Sequence, residues 1–154
     1  MDIKSTLRVS NEADTQGGPG VTQGQTLNQL LGDSTYPSER LTVRVATFVA
    51  GTHEQLHWHL IEAFYYVISG RAVMTDIEGK SHDIGPGSAV YAPPGIAGSH
   101  SWDIKEPLKL ISVRGTKDPE KSIQFDVDPG TMQSTVSIDH LAKRQAVDIK
   151  KSLY

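Results

Sequence analysis

The stretch that most constrains this chain is Gly51 to Gly70, GTHEQLHWHLIEAFYYVISG, in which His57 and His59 stand one residue apart with Glu62 close behind. On an extended strand alternate side chains share a face, so the two imidazoles lie about 6.6 Å apart along one side and can tilt toward a single cation. On a helix the same pair would point roughly 200° apart around the axis. A shared ligand therefore requires a strand here. The residues that follow, FYYVI, favour strands, and Ser69-Gly70 reads as the turn that ends them.

The rest of the chain agrees with that reading. Residues 1–25 are polar and rich in Gly, Gln and Thr, an arm that can hold a short strand only by pairing with something else. Thr26 to Leu31 is a short strand or a turn of helix, stopped at Gly32-Asp33-Ser34. From Leu41, the residues Leu41, Val43, Val45 and Val49 alternate with Thr42, Arg44, Ala46 and Phe48, as in a half-buried strand. Beyond Gly70 come the short runs RAVMTDI, SHDI, SAVYA and PLKLISVR, the last covering 107–114, separated by Glu78-Gly79-Lys80, Gly85-Pro86-Gly87 and Pro93-Pro94-Gly95. Strands of this length with regular turn punctuation and no long helical period predict an all-β barrel or sandwich. The predicted organisation is an arm (1–25), a barrel (26–116) and a C-terminal extension (117–154) that packs on the barrel or on a partner subunit. Within the extension, residues 138–150 are expected to form a short helix capped by Ser137 or Asp139.

Composition narrows the chemistry. A net charge of −3 and a pI near 6.0 give no electrostatic footprint for nucleic acid or an anionic membrane, and no helix-turn-helix pattern is present. With no cysteine among the 154 residues, a metal must be held by nitrogen and oxygen. No apolar run is long enough for a membrane span and the first residues lack a signal-peptide core, so the expected location is the cytoplasm.

The two punctuated blocks resemble the paired motifs of the cupin superfamily. GTHEQLHWHLIEAFYYVISG is similar to the first, G-(x)5-H-x-H-(x)3–4-E-(x)6-G, with Gly51, His57, His59 and Gly70 in register. GSAVYAPPGIAGSH is similar to the second, G-(x)5-P-x-G-(x)2-H-(x)3-N, with Gly87, Pro93 and Gly95 in register. The likeness spans roughly 40–115 and implies a double-stranded β-helix, or jelly roll. Two positions depart from the pattern. The motif glutamate should stand at Ala63, whereas the carboxylate is Glu62; the second-motif histidine should stand at Gly98, whereas the nearest is His100. The terminal Asn is also absent, with Trp102 and Asp103 nearby.

The resemblance implies one divalent metal ion per chain, held by His57, His59 and His100, with Glu62 a further ligand or an acceptor beside it. His53, near the strand entrance, is either a further ligand or a surface or pocket-rim residue, and His82 and His140 are expected in solvent. Fe(II) is favoured, with Zn, Mn, Ni or Cu also compatible with these donors. Tyr65 and Val67 continue the inward parity of the histidines, whereas Phe64, Tyr66 and Trp58 face away. Tyr65 and Tyr91 are candidates to orient a substrate oxygen or act as general acids. Trp102 flanks the second motif. Arg44 and Arg71 are strand arginines, exposed unless they pair with a substrate carboxylate. The implied activity is an Fe(II) dioxygenase on a small anionic, enolisable or aromatic compound. The alternatives are a metal-dependent isomerase, lyase or cyclase that uses no O2, and a non-enzymatic small-ligand module. Cupins of this size also imply a homodimer, the arm crossing to a neighbour.

Overall fold

The computed structural model describes residues 1–116, 123–138 and 140. Most of the expected C-terminal helix, including Asp139, lies outside these residues; within them, the Ser137 hydroxyl accepts the backbone N–H of His140 at 3.4 Å. The strands are β1 (Gly18–Pro19), β2 (Gln25–Leu31), β3 (Thr42–Phe48), β4 (His53–His59), β5 (Ala63–Asp76), β6 (Ser81–Ile84), β7 (Ala89–Ala92), β8 (His100–Arg114), β9 (Gln124–Val127) and β10 (Ser134–Val136). All belong to one antiparallel sheet that curls on itself. Single turns of 3-10 helix occur at Glu12–Asp14 and Ile96–Gly98. No helix among the described residues is long and apolar enough to cross a membrane.

The two long strands β5 and β8 form the spine. They pair from Ala63 opposite Arg114 to Asp76 opposite His100, and the register slips between Val67 and Ala72. At that slip Gly70 holds φ 89°, and a Cβ there would sit 2.0 Å from the carbonyl oxygen of Pro107. Only glycine fits, and Pro107 lacks a backbone donor, so the ladder bends there. One half of the spine carries β3, with β2 beyond it, and β7; the other carries β4, with β9 and β10 beyond it, and β6. The halves close over a core that includes Phe48, Val67, Ile84, Trp102, Leu108 and Leu110. This is the expected all-β barrel.

Three local expectations are corrected. Ser69-Gly70 bends a continuous strand rather than ending it, because residues 72–76 go on pairing with β6 and β8. The strand expected at 107–114 starts at His100. In β3 the apolar alternation misjudges the inner face: Val45 and Ala46 are both buried, Ala46 and Phe48 join the core, and Val49 is 60% exposed. A strand covered on both sides loses the period-two contrast on which such a reading depends.

At the N-terminus residues 1–11 are exposed, and β1 then pairs with β2, Gly18 opposite Leu27. An ion pair between Glu12 and Lys109 ties the start of this segment to β8.

Candidate metal centre

β4 and β8 bring three imidazoles together. His57 and His59 share one face of β4, and His57 lies directly opposite His100 in the ladder. All three are buried, and one nitrogen from each lies within 4.8 Å of the others. Ring centroids are 4.5 Å apart for His57–His100, 5.1 Å for His57–His59 and 6.0 Å for His59–His100. Among the described residues this is the one cluster of His, Asp and Glu side chains with that geometry.

The position of His100 has a steric cause. A side chain at residue 98 would place its Cβ 2.1 Å from the Pro93 carbonyl oxygen, so the turn at Ile96–Gly98 admits only glycine. The chain reaches the barrel interior two residues later, as β8 begins. The two motif blocks are joined directly, the Gly95 N–H donating to the His59 carbonyl at 3.0 Å.

The imidazoles are set up as neutral donors. His57 Nδ1 lies 2.6 Å from the Gln55 carbonyl and His100 Nδ1 lies 3.0 Å from that of Gly98. A carbonyl only accepts, so these nitrogens carry the hydrogens and leave Nε2 with its lone pair. Burial pushes His57 down to about 4 and His100 down to about 3, and it holds His59 well below the usual range. Neighbouring positive charge, including Arg114, acts in the same direction. The Nε2 atoms of His59 and His100 are buried with no hydrogen-bond partner, a costly arrangement that a metal ion would relieve.

A carboxyl group also reaches this cluster, but it is Glu54. Its Oε1 lies 3.5 Å from His57 Nε2. Two lone pairs facing each other call for a proton or a cation between them. Burial raises the Glu54 pKa, against the opposing pull of His100 and Arg114. Strict alternation turns residue 54 away from 57 and 59, yet a β-bulge intervenes. Glu54 pairs with Trp102 and His57 with His100, so Gln55 and Leu56 stand against Ser101 alone. The extra residue reverses parity and brings Glu54 inside.

Glu62 is not brought to the imidazoles. Ala63, the first residue of β5, takes the inward place at 1% exposed, and Glu62 Oε2 accepts from the Tyr91 hydroxyl at 2.8 Å. Tyr91 is itself 60% exposed, on the outer parity of β7, so this candidate general acid lies away from the cluster. Tyr65 does face inward, its ring 5.7 Å from that of His100 and 5.6 Å from that of Trp102. Burial raises its phenol pKa and keeps it protonated. Trp58 faces out and stacks on Phe125 at 4.3 Å. His53 is exposed and bonded to Asp103 at 2.7 Å, and His82 is paired with Asp76 at 2.9 Å.

Beside the imidazoles lies an interior cavity of about 50 Å³. Glu54, Tyr65 and Trp102 line it, together with Arg44, Arg114 and His140. His140, expected in solvent, is therefore buried in this wall. Arg44 also faces inward, its Nε donating to Gln29 Oε1 at 2.7 Å, whereas Arg71 is exposed. A larger open groove of about 890 Å³ runs along the outside past His53, Asp76 and Met132; none of the three imidazoles lines either space, but Glu54 and Tyr65 of the interior cavity's wall lie against His57 and His100.

Comparisons with known proteins agree with this architecture. The cupin domain family model matches residues 44–114. The polyketide cyclase RemF from Streptomyces resistomycificus superposes with a TM-score of 0.62 at 17% identity, covering 71% of this chain and 79% of that one. An RmlC-like cupin from Shewanella frigidimarina gives 0.60 at 17% identity, over 72% and 92%. Oxalate decarboxylase OxdC from Bacillus subtilis, as its R92A mutant, gives 0.57 at 26% identity, over 78% of this chain but 33% of that one. Sequence comparison with curated proteins finds no match. Two motif blocks, a bent β5–β8 spine and a matching domain model make residues 44–114 of this chain a cupin domain.

Proposed function

We propose that this chain is a mononuclear metal enzyme acting on a small anionic molecule inside the barrel. The observation that carries this reading is the trio of buried, neutral imidazoles, two with unpartnered Nε2 atoms, converging within 4.8 Å. His57, His59 and His100 are the ligands; bound there, a divalent ion supplies Lewis acidity and open coordination positions, and as Fe(II) it supplies redox chemistry with O2.

The protein's own side chains do the rest. The wall of Tyr65, Trp102 and Phe48 excludes bulk water, and Tyr65 holds a protonated hydroxyl group. The favoured reaction class is Fe(II)-dependent dioxygenation, because an all-histidine ligand set resembles that of cupin oxygenases more than that of isomerases; three neutral ligands also leave the ion's charge to attract an anion. The cavity narrows the substrate. An engineered cavity that admits benzene is about 150 Å³, so a space of about 50 Å³ fits a small enolisable acid better than an aromatic one.

A second reading, a metal-dependent lyase, isomerase or cyclase without O2, is favoured by Glu54. A buried carboxyl with a raised pKa beside the centre is suited to general acid–base work. A homodimer is part of the proposal, since Phe64, Tyr66, Ile68 and Tyr91 form an exposed apolar face of adjoining strands.

Elemental analysis of protein purified without chelators, beside His57→Ala, His100→Ala and Glu62→Ala, tests the ligand set. One metal per wild-type chain, lost in both histidine variants and kept in Glu62→Ala, is the expected result. Full metal in His100→Ala would remove that residue from the site. Oxygen uptake by Fe(II)-loaded protein with candidate acids then separates the two reaction classes.

A further inference from the structure

The geometry points to Arg114 as the anchor for a carboxylate group of the substrate within the barrel cavity. This deepens the reading above and rests on that cavity being the substrate site. Arg114 closes β8 on the same parity as the buried Leu108, Leu110 and Ser112, so its side chain points inward. It lines the cavity, and its Nη1 is sealed from solvent without a hydrogen-bond partner. Among the described residues no carboxylate forms an ion pair with it. A buried, unpaired guanidinium nitrogen is expensive, and a ligand that accepts from it removes the cost.

The surroundings favour an anion. Among the described lining residues the cationic side chains are Arg44 and Arg114, and the one carboxyl is that of Glu54. Leu27, Ala46, Phe48 and Leu110 form apolar wall around these groups, which strengthens the attraction. A guanidinium matches the planar fork of a carboxylate better than any other side chain. The volume of about 50 Å³ limits the ligand to a few non-hydrogen atoms.

The test uses acetate and its neutral isostere acetamide as probes on zinc-loaded wild type, Arg114→Gln and Arg114→Lys, with calorimetry for affinity and the arginine side-chain 15N signals for contact. Acetate should bind wild type about tenfold or more tighter than acetamide, Arg114→Gln should lose that margin with zinc content unchanged, and Arg114→Lys should regain part of it. A guanidinium signal absent from Arg114→Gln should shift on acetate addition. Simple coordination of acetate to zinc would leave Arg114→Gln as tight as wild type and would overturn the assignment. Equal binding of the two probes, or no binding of acetate to wild type, overturns it as well. Should wild type hold no zinc, the metal reading falls on its own, and the acetate–acetamide contrast in metal-free protein still decides the role of Arg114. Should Arg114→Gln fail to fold, the wild-type contrast, the 15N shift and Arg114→Lys decide it.

Discussion

At the scale of single residues, the centre is defined by imidazoles that the fold keeps neutral. The sign of the resulting pH dependence follows directly. A histidine whose folded pKa is depressed binds fewer protons folded than unfolded between the two values, so stability falls as pH falls through that window. The metal-free protein should therefore lose stability from about pH 6.5, the ordinary histidine value, down to about 4 for His57 and about 3 for His100. The slope is about 1.4 kcal/mol per pH unit for each histidine that takes up its proton only on unfolding. Urea midpoints measured across that range should drop steadily, and less steeply when His57 and His100 are replaced by Gln, with His59 still contributing; a flat wild-type profile would contradict the burial of these imidazoles as neutral groups. His57 and His59 were legible in the sequence from strand parity and the first motif block, and His100 as the nearest histidine to the second block, two residues beyond its register and of the same parity. Glu54 was not, since a bulge reverses parity and leaves no residue-type signature. Arg114 was within reach, for the alternation Leu108, Leu110, Ser112 continues onto it.

At the scale of elements, glycines decide how strands deliver the ligands. Gly98 leaves no room for a side chain against Pro93, and its carbonyl holds the His100 ring. Gly98→Ala should destabilise the fold by at least about 2 kcal/mol, as forced overpacking against backbone does, and should weaken metal binding because His100 shifts with the turn. Denaturant melts and a zinc titration check both; unchanged metal affinity would show that the turn does not position His100. The same physics explains why Ser69-Gly70 reads as a turn in the sequence and acts as a bend. A glycine at positive φ serves either purpose, and only the long-range pairing of residues 72–76 with β6 and β8 distinguishes them. The β3 alternation misleads for a related reason, both of its faces being covered.

At the scale of the whole molecule, the sheet seals its centre but leaves one outer face apolar. Phe64, Tyr66 and Ile68 alternate along β5 beside Tyr91 of β7, each more than a third exposed, and residues 1–11 are exposed as well. Light scattering should give a dimer at micromolar concentration, and Tyr66→Lys should shift it toward monomer with metal content unchanged; a wild-type monomer would set the dimer aside. The barrel itself was readable from turn spacing and the motif blocks, whereas the cavity, built by residues far apart in the chain, was not. The proposed function rests on one ion held between strands β4 and β8. Anomalous diffraction from metal-loaded crystals, collected at the metal's absorption edge, tests this directly. A single peak about 2.1 Å from a nitrogen of each of His57, His59 and His100 is the predicted result. No peak among these rings, or a peak in the outer groove instead, would contradict it.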